Sequence, residues 1–315
     1  MLIEFLQSRL RRDARGVIIN FHTLSAPETR RLVGVLGRHF DFIAHDDLAG
    51  RIASGARRPF CLLTFDDGFR SNAIETAPEL RRMGVPAVFY VTTGFLDSGR
   101  PLWFVRLKAL RLHGRLPETL DPAVLKQLPI ARVEELLDRH VSERRIESLP
   151  SEGEQPMTWE HARELASQGF TIGAHAVEHS VLPRETFSRA AALIRDSMAA
   201  VSVGTGIPCS TFAFPNGNYT AALCRVATAC GAATVMTTEP RWVGNAAQIW
   251  RLPRIQLFPR QSRAKVELKL AAALCDGLLA NPDGTGRAYR RIEALRHQRL
   301  TEPRSSLKAA EGKFS

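Results

Sequence analysis

The stretch Cys61-Leu62-Leu63-Thr64-Phe65-Asp66-Asp67-Gly68 runs from an apolar segment into two adjacent carboxylates and a glycine. A short apolar run of this kind is typical of a buried strand, so the pattern predicts both acids at a strand end. Neighbouring acids on a turn can point in different directions, which lets one bind a metal ion while the other accepts a proton. The alternative is that Asp67-Gly68 forms the turn of a β-hairpin.

The residues after Gly68 distinguish these two interpretations. A hairpin requires a second strand, but residues 73–82 have helical rather than alternating periodicity. The apolar run Val85-Pro86-Ala87-Val88-Phe89-Tyr90-Val91 then predicts another buried strand. Strand, helix and strand in this order indicate a βαβ unit of a parallel sheet.

The same alternation extends along the chain and defines its expected organisation. We predict an α/β domain over residues 1–260, with further strands at 16–22, 42–43, 170–173, 210–214, 232–236 and 252–257. Residues 101–156 carry helical patterns without a convincing strand, and we interpret them as a helical insertion that covers one end of the domain. We expect residues 261–280 to form a helix packed on that domain and the basic segment 281–315 to have little fixed structure.

Composition bounds the class of protein. A chain of 315 residues accommodates one large α/β domain of roughly 250 residues plus tails, or two small domains. No apolar run reaches the ~20 residues that cross a bilayer. The basic residues follow the first apolar stretch, the reverse of a secretory signal. The five cysteines include no C-x-x-C pair and are typical of thiols in a reducing compartment. We therefore expect a cytoplasmic protein, with the inner membrane face as a further location.

The formal net charge of +11 indicates an anionic partner. Nucleic acid, a phospholipid surface and a phosphate-bearing substrate all satisfy it. We find no nucleic-acid-reading motif, which disfavours a nucleic-acid-binding protein. Peripheral contact with an anionic membrane surface stays open.

Several histidines and acids stand next to predicted strands. His22 alone is better interpreted as a satisfied core or turn histidine. His175 and His179 have the spacing H-x-x-x-H, which on a helical turn brings two imidazoles to one face, although that spacing alone is a weak signal. Asp46-Asp47, beside a histidine, precedes a helical pattern and is better interpreted as its N-cap.

The joint placement of these groups is more informative than any one of them. His22, the Asp66-Asp67 pair, the H-x-x-x-H pair and Pro215-Asn216-Gly217 each fall at the C-terminal end of a predicted strand. In a parallel barrel these ends converge on one face, where active sites lie. An Asp-His-His set there suits Zn²⁺ best, with Co²⁺, Mn²⁺, Ni²⁺ and Fe²⁺ also compatible, and leaves coordination positions for water and substrate.

These residues resemble the motifs of the polysaccharide deacetylase family, also called the NodB-homology or carbohydrate esterase family 4 fold. The first motif corresponds to residues 64–68, the second to 175–179, and 212–217 resembles the third. The resemblance covers about residues 15–258 apart from the insertion, which lies between the first two motifs. It implies a distorted (β/α)7-type barrel of parallel strands.

The resemblance also implies residue roles. Asp66 would be the general base, and Asp67, His175 and His179 would be the metal ligands. The third motif, Phe214, Pro215 and Asn216, would contact substrate, and the backbone around Phe214 would help hold the oxyanion.

Two residues that the family motifs usually supply, the general-acid histidine and an arginine, are not at their usual positions in this sequence. The late Leu-x-x-His motif that supplies the general acid is missing, but Ile19-Asn20-Phe21-His22 resembles it and comes first, as in the rearranged members that deacetylate exopolysaccharides. We therefore assign His22 as the acid. The arginine expected before the third motif is also absent, and Arg254 is a candidate substitute for orienting Asp66.

The resemblance implies a metal-dependent hydrolase that removes N-acetyl, or N-formyl, groups from amino sugars. The substrate would be a polysaccharide or a lipid-linked glycan. The alternatives are a catalytically inactive carbohydrate-binding relative and a basic nucleic-acid-binding protein.

Overall fold

The computed structural model describes residues 14–54, 58–98, 100–112, 114, 116–144 and 154–276. The predicted tail, 281–315, lies outside these ranges. The described ranges contain nine strands: β1 Ala14–Phe21, β2 Asp41–Phe42, β3 Phe60–Phe65, β4 Ala87–Val91, β5 Thr171–Ala174, β6 Thr211–Ala213, β7 Thr234–Met236, β8 Val243–Gly244 and β9 Ile255–Gln256.

Helices connect most of these strands. In chain order they are α1 Ala26–Leu36, α2 Leu48–Ser54, α3 Ala77–Arg82, α4 Trp103–Leu112, α5 Pro122–Leu125, α6 Ile130–Arg144, α7 Trp159–Ser167, α8 Phe187–Thr205, α9 Ala221–Ala229 and α10 Arg263–Asp276. A π-helical turn, Asn72–Thr76, leads directly into α3. In the part of the chain that the structure describes, no helix combines the length and apolar character needed to cross a bilayer.

The strands form one mostly parallel, curled sheet in the order β7-β6-β5-β4-β3-β1-β8. β2 pairs with β3 and β9 with β1, both parallel. The chain before β9 also hydrogen-bonds to β7, through Leu252 N–H to Val235 O at 2.8 Å and Thr237 N–H to Leu252 O at 2.8 Å. This segment links the two sides of the sheet, so the predicted (β/α)7-type barrel is confirmed. β8 was not predicted, and it pairs antiparallel with β1.

The centre of the sheet is apolar on both faces, as expected where helices cover a parallel sheet. All six residues of β3 are buried. Phe21, Phe65 and Phe89 stack across β1, β3 and β4, with ring centroids 5.5 and 5.1 Å apart. This packing fixes the register of the strands whose ends carry the predicted site.

The described part of residues 101–156 is helical, as predicted, with an apolar cluster of its own. Helices α4 and α6 pack together through buried side chains that include Leu107, Leu110 and Leu137. A second cluster, with Phe69, Phe95 and Leu102, joins the insertion to the barrel. Helix α10 packs on the barrel core through Val266, Leu270 and Leu274.

Candidate active site

The predicted polar groups follow the C-terminal ends of four strands. His22 comes directly after β1, Asp66 after β3, His175 after β5 and Phe214 after β6. Because these strands are parallel, their ends lie at the same edge of the sheet. The fold therefore brings together groups that the sequence separates by almost 200 residues.

Backbone conformation separates the two adjacent acids. Asp67 has φ 79° and Gly68 has φ 83°, both in the left-handed region. A Cβ on Gly68 would also come within 3.3 Å of Val91, so glycine suits this position for two reasons. All partners of β3 are parallel, and the chain continues into a π-helical turn and α3, so the hairpin interpretation is wrong.

Asp67, His175 and His179 form one compact group of candidate ligands. Asp67 Oδ1 lies 3.6 Å from His175 Nε2 and 3.3 Å from His179 Nε2. One ligand atom from each residue lies within 4.8 Å of the others, and all three residues are buried. Two imidazoles and one carboxylate at these separations can hold a single divalent ion.

The H-x-x-x-H pair follows β5 directly and reaches this geometry without a helical turn. Residues 175–179 are irregular, and Ala176 has φ 62°. The segment is held by the chain after β4, where Thr93 N–H donates to Ala176 O at 3.1 Å and Gly94 N–H donates to Val177 O at 2.8 Å. The left-handed residue reverses the chain so that both imidazoles face Asp67.

His175 is prepared to act as a neutral ligand. Its Nδ1–H donates to Ala213 O at 2.8 Å, which leaves the lone pair of Nε2 directed toward Asp67. Burial lowers the pKa of His175 to about 4. The imidazole is therefore uncharged at neutral pH.

Asp67 is a buried carboxylate that lacks a hydrogen-bond partner. Neither of its oxygens is hydrogen-bonded within the described residues, and its side chain is 0% exposed. Burial alone would raise the pKa of Asp67, but His22, His179 and His175 together outweigh it and lower the pKa below its usual range. An anionic carboxylate buried without hydrogen bonds is strongly unfavourable. A cation held by Asp67, His175 and His179 removes that penalty, so the residues present fit a divalent metal ion.

The negative charge of Asp66 is compensated within the protein by Arg254. Arg254 donates to it from both terminal nitrogens, at 2.6 Å to Oδ1 and 2.8 Å to Oδ2. Arg254 is fully buried and is held in place by Thr237 O at 3.0 Å and Thr64 Oγ1 at 3.1 Å. Burial works against the charge on Asp66, but Arg254, with smaller contributions from His175 and His22, lowers the pKa of Asp66 below its usual value. The structure thus places Arg254 where the sequence analysis expected an orienting arginine.

His22 lies on the open side of the group. Its Nε2 is 3.9 Å from Asp67 Oδ2, and its side chain is 38% exposed. Its Nδ1 is 3.4 Å from Nε2 of Gln256, on β9. His22 therefore combines contact with the site and access to a bound molecule, which a core histidine does not.

In the third motif, one backbone N–H is available to donate a hydrogen bond to a bound molecule. Phe214 N–H donates to Met236 O at 3.2 Å, Pro215 has no N–H, and Gly217 N–H donates to Phe214 O at 2.9 Å. Within the described residues, the Asn216 N–H has no acceptor. Asn216 has φ 56°, is exposed, and lines the cleft described below. Of the three residues predicted to contact substrate or the oxyanion, Asn216 therefore has the available backbone donor. Phe214 and Pro215 support the turn.

A network behind this turn restrains its conformation. Gly217 has φ 74°, and a Cβ there would lie 1.8 Å from Thr238 Oγ1, so no larger residue fits. Tyr219 OH donates to Glu239, which also pairs with Arg241 and Arg251. Sequence patterns did not reveal this network, because tertiary contacts bring Tyr219 and Arg251 to Glu239.

The site opens into a cleft of about 520 Å³ whose far wall is the helical insertion. Trp103 Nε1–H donates to His179 O at 2.9 Å, and the Phe104 ring meets the His179 ring edge-on at 4.9 Å. These contacts, together with Asn20 and Gln256 in the cleft lining, were missed by sequence reasoning. Asn20 had a visible signal, since it is a polar residue inside a buried apolar strand.

The second acidic pair lies elsewhere, as the sequence analysis expected. His45 Nε2 contacts Thr234 Oγ1 at 2.8 Å, at the amino end of β7. Burial lowers the pKa of His45. Asp46 and Asp47 are exposed in a 3-10 turn before α2. This group is remote from the strand ends that carry the candidate site.

Comparison with known proteins agrees with this geometry. A sequence model of the family described as Polysaccharide deacetylase matches residues 54–235. Among solved structures, the chain resembles a Streptococcus pyogenes deacetylase, PplD, in complex with acetate, with 14% identity, a TM-score of 0.58, and coverage of 81% of this chain and 97% of that one. No curated protein matches the chain.

Two further solved structures share the fold. IcaB from Ammonifex degensii is 18% identical with a TM-score of 0.55, covering 82% of this chain and 96% of that one. The BpsB deacetylase domain from Bordetella bronchiseptica is 18% identical with a TM-score of 0.52, covering 77% and 95%. At these identities the likeness shows the fold.

Proposed function

The chain belongs to the polysaccharide deacetylase family, and from that premise we propose that it is a metal-dependent hydrolase that removes N-acetyl groups from amino sugars. One observation carries the proposal. Asp67, whose oxygens have no hydrogen-bond partner among the described residues, lies against two imidazoles, while the adjacent Asp66 is held by Arg254 and lines the cleft. The arrangement places a set of metal ligands beside a separate base.

The ligand set would hold the ion and leave room for substrate. Asp67, His175 and His179 provide three protein ligands, which is typical of a catalytic rather than a structural site. We propose Zn²⁺ as the native ion, with Co²⁺, Mn²⁺, Ni²⁺ and Fe²⁺ as alternatives. When bound, the ion would polarise the acetyl carbonyl and acidify a water molecule.

Asp66 acts as the general base in this proposal. Arg254 keeps it ionised and fixes its orientation, because both carboxylate oxygens accept from the guanidinium. Asp66 is almost fully buried yet lines the cleft, so it can take the proton of a water molecule that attacks the acetyl carbonyl. Asp66 is itself outside the ligand set.

His22 and Asn216 complete the reaction on the open side. The Asn216 N–H is free to donate to the negative oxygen that develops at the acetyl carbon. His22 lines the same cleft and, in its protonated form, gives a proton to the departing amine. These roles leave the free amino sugar and acetate as products.

The finer identity of the substrate is part of the proposal. We favour an N-acetylated amino sugar within a polysaccharide or lipid-linked saccharide, with N-formyl as an alternative acyl group. The positive charge of the chain supports peripheral contact with an anionic membrane surface, and we propose the cytoplasmic membrane face as the place of action.

Acetate release from N-acetylglucosamine oligomers tests the proposal. We expect release that requires a divalent metal, stops on chelation and falls at least about a hundredfold in Asp66→Asn, since general-base catalysis contributes that much or more. A surface variant such as Arg195→Ala should retain the parent rate. Saccharide binding without turnover under any metal would contradict the proposal and favour an inactive binding protein. Salt-sensitive binding to random DNA without hydrolysis would favour the nucleic-acid alternative.

A further inference from the structure

The chain that leaves β9 emerges at the edge of the barrel that carries the candidate site. β9 runs parallel to β1, with Gln256 opposite Asn20, and both residues line the cleft. Residues 257–262 then connect β9 to helix α10. Phe258, two positions after Gln256, is 48% exposed. The fold therefore presents an aromatic side chain to solvent close to the cleft.

Helix α10 adds a second exposed apolar side chain to this surface. Leu268 is 66% exposed, on the face of α10 opposite to the residues that pack on the barrel. The next residue, Lys269, reaches Phe258, with Nζ 5.1 Å from the ring centroid. Lys265 is exposed and, three residues before Leu268, shares its helix face. We define the α10 patch as Arg31, Phe258, Arg260, Arg263, Lys265, Leu268 and Lys269.

The α10 patch is strongly cationic. Five of its seven residues are Lys or Arg. Glu267 accepts from Arg263 Nε at 2.8 Å and offsets one of these charges. Arg31 donates to two backbone carbonyl oxygens of residues 259 and 261, and no described carboxylate pairs with it. Among the described residues, carboxylate partners are also lacking for the other three cations, Arg260, Lys265 and Lys269.

The general basicity of the chain does not explain this arrangement. Exposed arginines on other helices have carboxylate partners close by, as Arg163 has in Glu160. A single exposed apolar residue is ordinary on a protein surface. In the α10 patch, however, Lys269 joins two of them, and cations without carboxylate partners flank both.

This combination fits an anionic phospholipid surface. Lipid headgroups attract clustered Lys and Arg side chains, and exposed aromatic and aliphatic side chains enter the boundary between headgroups and acyl chains. A nucleic acid backbone would use the cations but has no need of Phe258 and Leu268.

We propose that the α10 patch docks the protein on an anionic phospholipid membrane, with Phe258 and Leu268 entering the headgroup region and the cations contacting lipid phosphates. The Cα atoms of Gln256 and Phe258 are at most about 7 Å apart, so docking through Phe258 brings the cleft to the same surface. The inference rests on the proposed function in one respect, because the benefit of this placement is access to a saccharide carried on a membrane lipid.

Vesicle sedimentation tests the proposal without any substrate. The full chain is mixed at low salt with vesicles of phosphatidylcholine alone or of phosphatidylcholine with phosphatidylglycerol, and we expect binding to the anionic vesicles. Arg260→Glu and Lys265→Glu should each weaken that binding about tenfold or more, because each reverses a charge near the lipid surface. Phe258→Ser should weaken it about fivefold or more, because less apolar surface is buried.

Matched variants outside the α10 patch separate docking from a general charge effect. Arg225→Glu reverses the charge of an exposed arginine on α9 that lacks a carboxylate partner among the described residues, and Phe187→Ser removes an exposed phenylalanine at the start of α8. Both should bind anionic vesicles within about twofold of the parent. The basic segment 281–315 is common to all variants, so the ratios of their affinities report the patch. Thermal unfolding identifies any variant that does not fold, and Lys265→Gln then replaces a charge reversal.

The outcomes distinguish this inference from the proposed function. Losses confined to the patch variants support docking. Equal losses in Arg260→Glu and Arg225→Glu, or a parent that does not prefer anionic vesicles, would overturn it. Unchanged vesicle binding in Phe258→Ser, together with tight, Arg260-dependent binding to random duplex DNA, would also overturn it and assign the patch to nucleic acid. Acetate release from soluble N-acetylglucosamine oligomers should stay within about twofold in the patch variants. If the parent releases no acetate, the proposed hydrolase is refuted and the vesicle result still decides the docking surface.

Discussion

Asp66 and Asp67 are consecutive residues with opposite electrostatic surroundings. Both oxygens of Asp66 accept hydrogen bonds from Arg254, whereas neither oxygen of Asp67 has a hydrogen-bond partner among the described residues. Both side chains are almost completely buried. The turn that gives Asp67 its positive φ sends the two carboxylates into separate environments.

The difference shows how one motif serves both the fold and the chemistry. The charge on Asp66 is compensated by a residue that the fold always supplies, so the pair belongs to the permanent structure. The charge on Asp67 is compensated only in part by imidazoles, and the proposed metal ion would complete the compensation. The same comparison predicts that substitutions on the two sides have different consequences for stability and for activity.

The largest effect is expected on the Asp67 side. Asp67→Asn should lower acetate release at least about a thousandfold, because it removes the only anionic ligand of the group. The same variant, stripped of metal, should be at least as stable as the stripped parent, since it removes a buried charge that lacks hydrogen bonds. Activity assays and thermal unfolding with and without chelator measure both. A stripped Asp67→Asn protein that unfolds well below the parent would break the comparison.

The substitution Arg254→Met tests the Asp66 side of the comparison. Removing one partner of a buried ion pair costs about 3–5 kcal/mol, because Asp66 is left charged and uncompensated. We expect this loss in urea unfolding whether or not metal is present. In the double variant with Asp66→Asn much of the loss should be recovered, as a double-mutant cycle would reveal. Additive losses in the cycle would contradict the permanent pairing of these two residues.

A change of pH tests the Asp67 side through its buried histidine, His175, and leaves the residues of the Asp66 side unaltered. The pKa of His175 is about 4 in the folded chain and ordinarily 6.5, so the unfolded chain binds more protons between these values. Stability of the chelated protein should therefore fall as pH drops from 7 to 5, by on the order of 2 kcal/mol from this residue. His175→Gln should unfold with a weaker pH dependence over that range. An unchanged slope in that variant would contradict the assignment.

The smallest effect concerns the support of the Asp67 side by the insertion. Trp103→Phe removes one hydrogen bond to His179 O, which is worth about 1 kcal/mol. We expect the metal-free protein to lose about that much stability and metal affinity to fall by up to about tenfold, because the His179 ring is then held less firmly, with the Asp66–Arg254 pair unchanged. Metal titration monitored by calorimetry measures the affinity. Unchanged affinity would show that the insertion covers the cleft without positioning His179.

Sequence patterns predicted the parallel α/β organisation and the edge that carries the site, because strand-end positions follow from local periodicity, and the family resemblance implied the barrel. They identified His22, Asp66, Asp67, His175 and His179 for the same reason. The spacing of His175 and His179 left their backbone conformation open, since three intervening residues do not distinguish a helical turn from a loop reversed at Ala176. The ligand atoms nonetheless converge, because the chain after β4 holds that loop.

Features that depend on distant contacts were less accessible. Arg254 was only a candidate, and its pairing with a residue 188 positions away depends on β9 lying beside β1. The free N–H of Asn216 became visible only after the neighbouring donors were assigned to acceptors. The contacts of Trp103 and Phe104 with His179 require the tertiary placement of the insertion, for which the helical pattern gives no information.

The most direct test of the central claim is a crystal structure of the zinc-loaded protein with an anomalous difference map at the zinc edge. We predict one strong peak at about 2.0–2.2 Å from a carboxylate oxygen of Asp67 and from Nε2 of His175 and His179. Asp66 should remain paired with Arg254 outside the coordination sphere. A zinc ion bound through Asp66, or a peak away from these three ligands, would contradict the division of roles between the two aspartates.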